Sequence, residues 1–128
     1  MNTKTENLPS LSLKGGSRPI HDLMLRLPAL VALSDGGIDF AASKPDLLVN
    51  IAVDAGHTMR TMHKGIAAIG HLLALASPEI ETQECPGDVV ESVGWLLNEL
   101  SDLAAIADYL ATTCRRYTHD YLPPKKNR

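Results

Sequence analysis

Two ladders of uncharged positions, one on each side of a proline-bounded loop, constrain this chain more than any other feature. The first steps by four and three through Leu48, Ala52, Ala55, Met59, Met62, Ile66, Ile69, Leu73 and Ala76. The second runs through Val89, Val93, Leu96, Leu100, Leu103, Ala107, Leu110, Cys114 and Tyr117. Alternating three and four spacing sustained over this length is the period of an α-helix that buries one stripe. An all-α fold follows, built on a long antiparallel helical hairpin over about 44–76 and 86–118.

The residues flanking the ladders say that two helices are not enough. In a two-stranded coiled coil those flanks are charged and pair across the seam. Here they read Val49, Gly56, His63 and Gly70 beside Ile51, Thr58, Gly65 and Leu72 on the first helix, and Val90, Leu97, Ala104 and Ala111 beside Ser92, Glu99, Ile106 and Thr113 on the second. Only Glu99 is formally charged. The apolar arc of each helix is therefore wider than one neighbour can cover.

A third helix is available upstream. Ser17 and Pro19 form a start signal, and Ile20, Leu23, Met24, Leu27, Leu30 and Val31 follow at helical spacing, which predicts a helix over about 18–33. Pro28 removes one backbone hydrogen bond and clashes with the preceding turn, so a kink or a junction of two short helices is expected near Leu27. A connector over 38–42 carries Phe40, the chain's only phenylalanine, expected to plug the bundle end. Ser43, Pro45 and Asp46 then supply a capping serine, an early proline and an acid for the hairpin's first helix. Ser77-Pro78 stops it, residues 79–85 read as an acidic loop, and Pro86 with Asp88 opens the last helix. The expected organisation is a mobile arm over 1–16 with no core residue, one helical-bundle domain over 17–122, and a disordered basic tail over 123–128.

At 128 residues the chain suffices for one domain with a real core. Its net charge of -3 argues against a protein made to wrap a phosphate backbone, so nucleic acid is not an expected partner. That charge is unevenly spread. Residues 79–108 hold eight acids and no Lys or Arg, while Arg115, Arg116, Lys125, Lys126 and Arg128 make the end basic. Acids early and bases late in a helix suit its dipole, each contributing roughly 0.3 to 1 kcal/mol. Cys85 and Cys114 fall near opposite ends of one long helix, too far apart for a disulfide, with Cys114 in the apolar seam. No apolar run is long enough to span a bilayer, so no membrane partner is expected and the cytoplasm is the default location.

No phosphate loop, paired cysteines, HExxH or nucleophile elbow occurs, so neither an enzyme nor a cofactor is expected. His57, His63 and His71 stand six and eight apart, which does not give the adjacent-turn pair of a helical metal site, and no metal is expected. His57-Thr58-Met59-Arg60 resembles the His-x-Leu-Lys core of histidine phosphotransfer domains, helical bundles whose exposed histidine accepts phosphate. That resemblance implies His57 as acceptor and Arg60 as its supporting base. It departs from the family at Thr61, where glycine usually admits the partner. A different alternative reads the acidic stretch as a mimic of a nucleic-acid backbone that occupies a basic site on another protein.

Association is the leading expectation. Gly56, Gly65 and Gly70 each cost roughly 1 kcal/mol against alanine in a helix interior, which close approach of another backbone would offset. The first helix covers about half of the hairpin, and a second copy in an antiparallel two-fold pairing could bury the rest. The protein is thus read as a non-catalytic interaction module, a three-helix protomer or a homodimeric four-helix-type bundle. Candidate interface residues are Gly56, Gly70, Ile106 and the outer stripe Trp95, Asp102 and Tyr109. Aromatics on such a stripe face either the N-terminal helix or another chain.

Overall fold

The computed structural model describes residues 18–125. Among the described residues four helices follow in order: α1 (Pro19–Arg26), continued by a 3-10 turn over Leu27–Ala29, α2 (Pro45–Leu75), a one-turn α3 (Ser77–Glu81) and α4 (Gly87–Thr118). No β-strand occurs among the described residues, only one isolated bridge between Ala32 and Ile38. α2 and α4 pack along one another as an antiparallel hairpin, and α1 lies on α2. The expected helical hairpin with a shorter, proline-broken N-terminal helix is the fold.

Proline sets the boundaries as anticipated. Pro19 and Pro45 occupy the first turns of α1 and α2, where a missing N–H removes no intrahelical bond. Pro28 ends α-helical geometry at Arg26 and leaves a tight turn whose last residue, Leu30, is already extended with ψ 144°. The helix therefore stops short of the expected residue 33. Residues 31–39 instead fold back on themselves, with Asp39 N–H donating to Val31 O at 2.8 Å and Leu33 N–H to Gly37 O at 2.7 Å. Gly36 supplies the left-handed residue that this turn requires, at φ +89°.

Two further expectations are corrected. Ser43 does not cap α2, whose N-cap is Lys44. Its buried hydroxyl accepts the Val31 N–H at 3.0 Å and donates to Asp39 O at 2.8 Å, because one residue further from the helix it serves the connector better than the helix end. Residues 79–85 are not wholly a loop. Pro78 stops α2 and at once starts α3, and the reversal is completed by Gln83 in left-handed geometry, φ 64°. Ser17 and the arm over 1–16 lie outside the described residues, as do residues 126–128 of the basic tail; 123–125 have no regular structure.

Two contacts fix the direction of α1. Arg26 meets Asp54 on α2, and Val31 meets Ser43 just before α2 begins, so the chain descends toward the start of α2. The N-terminus of α1 consequently points up the hairpin and, at about 1.5 Å per residue, reaches the height of Thr61. The core lies beneath it: Leu23, Phe40, Leu48, Ile51, Ala52, Ala55, Ala107, Leu110, Ala111 and Cys114 form one cluster. Phe40 closes the lower end of the bundle as expected, stacking on Tyr117 at 5.8 Å and meeting Tyr109 edge-on at 6.4 Å. The Tyr121 hydroxyl donates to Asp46, tying the end of the fold to the start of α2, and this bond raises the Tyr121 pKa.

Candidate interaction surface

Burial divides the hairpin in two. On α2 the buried residues end at Met62, and on α4 they begin at Ala104. The apolar pattern does not end there, running on through Ile69, Leu72 and Leu73 and, across the hairpin, from Leu103 back to Val89. The lower half is covered by α1 and the connector. The upper half has nothing over it among the described residues.

The α1-facing side of α2 is marked by Asp54, which the helical repeat continues through Thr61, Ala68 and Leu75, and by its buried neighbour Ile51, which continues through Thr58, Gly65 and Leu72. On α4 the corresponding side is marked by Leu110, clustered with Phe40, and continues through Leu103, Leu96 and Val89. Beyond α1 that same face therefore consists of Gly65, Ala68, Leu72 and Leu75 opposite Val89, Leu96, Leu103 and Ile106, with the polar Ser92 and Glu99 set among them on α4. Apart from the half-buried Leu103, its large apolar side chains are open to solvent: Leu72 is 62% exposed, Leu75 65%, Leu96 49% and Ile106 57%. Trp95, beside them on the outer edge, is 64% exposed and has its indole N–H 3.5 Å from Glu91.

The outer stripe expected from the sequence is thus split. Tyr109 packs on Phe40 of the connector, whereas Trp95 stands clear, with the exposed Asp102 between them. The seam itself is also rotated from its expected centre. Ala104 and Ala111, read as flanking positions, are buried, while Val89, Leu96 and Tyr117, read as seam positions, are exposed.

The glycines separate in the same way. A Cβ on Gly56 would stand 3.1 Å from the Arg115 guanidinium, so a side chain crossing from α4, and not another backbone, fills that place. At Gly65 and Gly70 a Cβ would meet nothing within 4 Å. Within one chain their helical cost has no packing return.

The remaining candidates occupy open surface. His57 is half-buried and Arg60 exposed on α2, with the Thr61 hydroxyl donating to the His57 carbonyl at 3.0 Å. His63 and Asp108 line a shallow groove between α2 and α4 on the side away from α1. His21 lies 3.0 Å from Asp22 and holds that carboxyl below its usual range; His119 lies 3.0 Å from Asp120. The eight acids of residues 79–108 are all exposed. Cys85 is half-buried, lining a cavity of about 650 Å³ at the hairpin tip with Ile80 and Val90, while burial pushes the Cys114 thiol up to about 11. No helix is long and apolar enough to cross a membrane, and no group of three or more metal-ligating side chains occurs among the described residues.

Asp54 stands outside both apolar ladders and their flanks, so the heptad pattern does not single it out. It is buried, with its side chain 12% exposed, and accepts a hydrogen bond from Arg26 that latches α1 to the hairpin. A signal was present: Asp54 is the only acid between residues 47 and 78, and it sits in the same turn as Ile51 and Ala55.

These features define a class, the all-α hairpin bundle with one half capped by its own N-terminal helix and the other half open. Comparison with protein-family models, curated proteins and solved structures found no match for this chain.

Proposed function

We propose that this protein is a non-catalytic helical association module whose docking surface is the upper half of the hairpin, on the face that α1 covers below. One observation carries the reading: burial stops at Met62 and Ala104 although the apolar face continues to the tip. Soluble chains rarely leave a contiguous apolar patch larger than a few hundred Å² without a partner. Helices laid along this face would extend the line of α1 and complete the bundle cross-section that the hairpin alone leaves open. Gly65 would let its backbone approach closely. The two unpaired cysteines fit a reducing compartment, so the cytoplasm is the proposed location.

A photo-reactive amino acid placed at position 72 and, separately, at position 53 tests this in living cells of the source organism. Val53 is exposed on α2 but lies off the α1-facing side. Irradiation is expected to shift the position-72 protein to a protein adduct and to leave the position-53 protein unshifted. No adduct at 72 beyond that at 53 would contradict the reading.

A further inference from the structure

We infer that the occupant of this face is a second copy of the chain, paired antiparallel about a two-fold axis that passes near Leu72 and Leu96. The inference rests on the docking reading and adds the identity of the partner. Its first support is area. The exposed parts of Leu72, Leu75, Val89, Trp95, Leu96 and Ile106 sum to on the order of 600 Å² of apolar surface, so two copies bury about 1,200 Å², the lower bound of stable specific interfaces.

The second support is geometry. α1 occupies the lower half of the face, so two hairpins laid face to face can overlap only by their upper halves. Head-to-head overlap would drive the two α1 helices together, whereas antiparallel overlap brings each tip to the upper end of the other chain's α1. The covered length of one chain thereby sets the register of the pair. Asp46 meets Tyr121 and Gly56 meets Arg115, and climbing α2 while descending α4 from those contacts brings Leu72 level with Leu96.

The third support is charge. The α2 side of the open face carries no formal charge from Thr61 to Ala76, apart from Lys64 on its outer edge. On α4 the face includes Glu99, and a two-fold near Leu96 sets Glu99 of one chain opposite Ser92 of the other. Like charges do not meet at the centre. Self-pairing of this kind is isologous and closes at two chains.

The test is the solution mass of the full chain by light scattering from about 1 to 100 µM, where mass action separates monomer from dimer. Wild type and Val53→Glu are expected to run as two chains at the upper concentration, and Leu72→Glu and Leu96→Glu as one chain with unchanged helical circular dichroism. Both leucines are already exposed, so the substitutions are compatible with the protomer fold. A spin label on Cys85 gives the orientation, since Cys114 is buried and chemically quiet. Antiparallel overlap separates the two labels by roughly 30 Å, the rise from Met62 to the tip at 1.5 Å per residue plus the α3 turn. A single chain mass at the highest concentration, a dimer indifferent to both glutamates, or labels within about 15 Å would each overturn self-pairing. A single chain mass together with a cellular adduct at position 72 would overturn self-pairing alone and leave the docking reading standing.

Discussion

The Arg26 guanidinium donates to the carboxylate of Asp54, joining the last turn of α1 to a point one-third of the way along α2. This is the one ion pair among the described residues that links two helices and has a buried partner. It fixes both the height of α1 on the hairpin and the place where the open face begins. Breaking it leaves a charge without its partner in a partly desolvated place, which costs more than an exposed pair would.

Asp54→Asn is accordingly expected to destabilise the protein by about 1 to 3 kcal/mol, read as a lower urea midpoint. The amide oxygen of that variant would still accept one hydrogen bond, so Asp54→Ala should cost more. Equal midpoints for wild type and both variants would remove the latch from the account.

Thr58 is fully buried and its hydroxyl has no hydrogen-bond partner. A hydroxyl stripped of water without compensation opposes folding, whereas a methyl of similar shape does not. Thr58→Val is therefore expected to raise the melting temperature, by an amount corresponding to about 1 kcal/mol. A lower melting temperature would mean that the hydroxyl is satisfied in solution.

Phe40 closes the covered end, touching the rings of Tyr109 and Tyr117. Phe40→Ala is expected to cost about 3 to 4 kcal/mol, through the lost transfer energy and the cavity left behind. Chemical denaturation measures it. A loss below about 1 kcal/mol would show the lower end to be as loosely built as the upper.

Cys114 gives a pH dependence whose sign is fixed by burial. Its folded pKa is raised from 9.0 to about 11 while the unfolded thiol titrates normally. Between those values the unfolded state has released a proton that the folded state retains, so stability is complete below pH 9 and declines as pH rises toward 11. The Cys114 contribution to that decline is on the order of 2 kcal/mol and should be lost in Cys114→Ala, leaving the part due to Tyr121, whose pKa is also raised. At pH 8 iodoacetamide should modify Cys85 on the native protein, and both cysteines only in denaturant.

The hairpin was legible because its signal is redundant: many positions repeat the same period, and prolines mark both ends. The rotation of α4 was not. A heptad reading locates an apolar arc but not which edge of that arc meets the neighbour, and in this chain small residues on one edge, Ala104 and Ala111, let α2 approach there. Larger residues on the other edge, Val89, Leu96 and Leu110, were left for whatever lies on the front, which is Phe40 and its neighbours at Leu110 and open space at Leu96. Ser43 misled because the capping signature is local, whereas its partners Val31 and Asp39 are set by the turn before α2. The open upper face was legible in outline, since the first helix was too short to cover the hairpin. Its lower limit needed the direction of α1, which follows from the Arg26 and Val31 contacts and from no pattern in the sequence.

Hydrogen exchange followed at two protein concentrations tests the central claim most directly, because it reads the covered and open halves within one molecule. Amides of residues 48–60 and 107–114, under α1 and the connector, should exchange at the same slow rate in dilute and concentrated solution. Those of residues 64–76 and 90–102 should exchange faster when dilute and become protected as concentration rises. Equal and concentration-independent protection along both helices would contradict the account, for it would mean that the upper half of the hairpin is stable without anything laid against it.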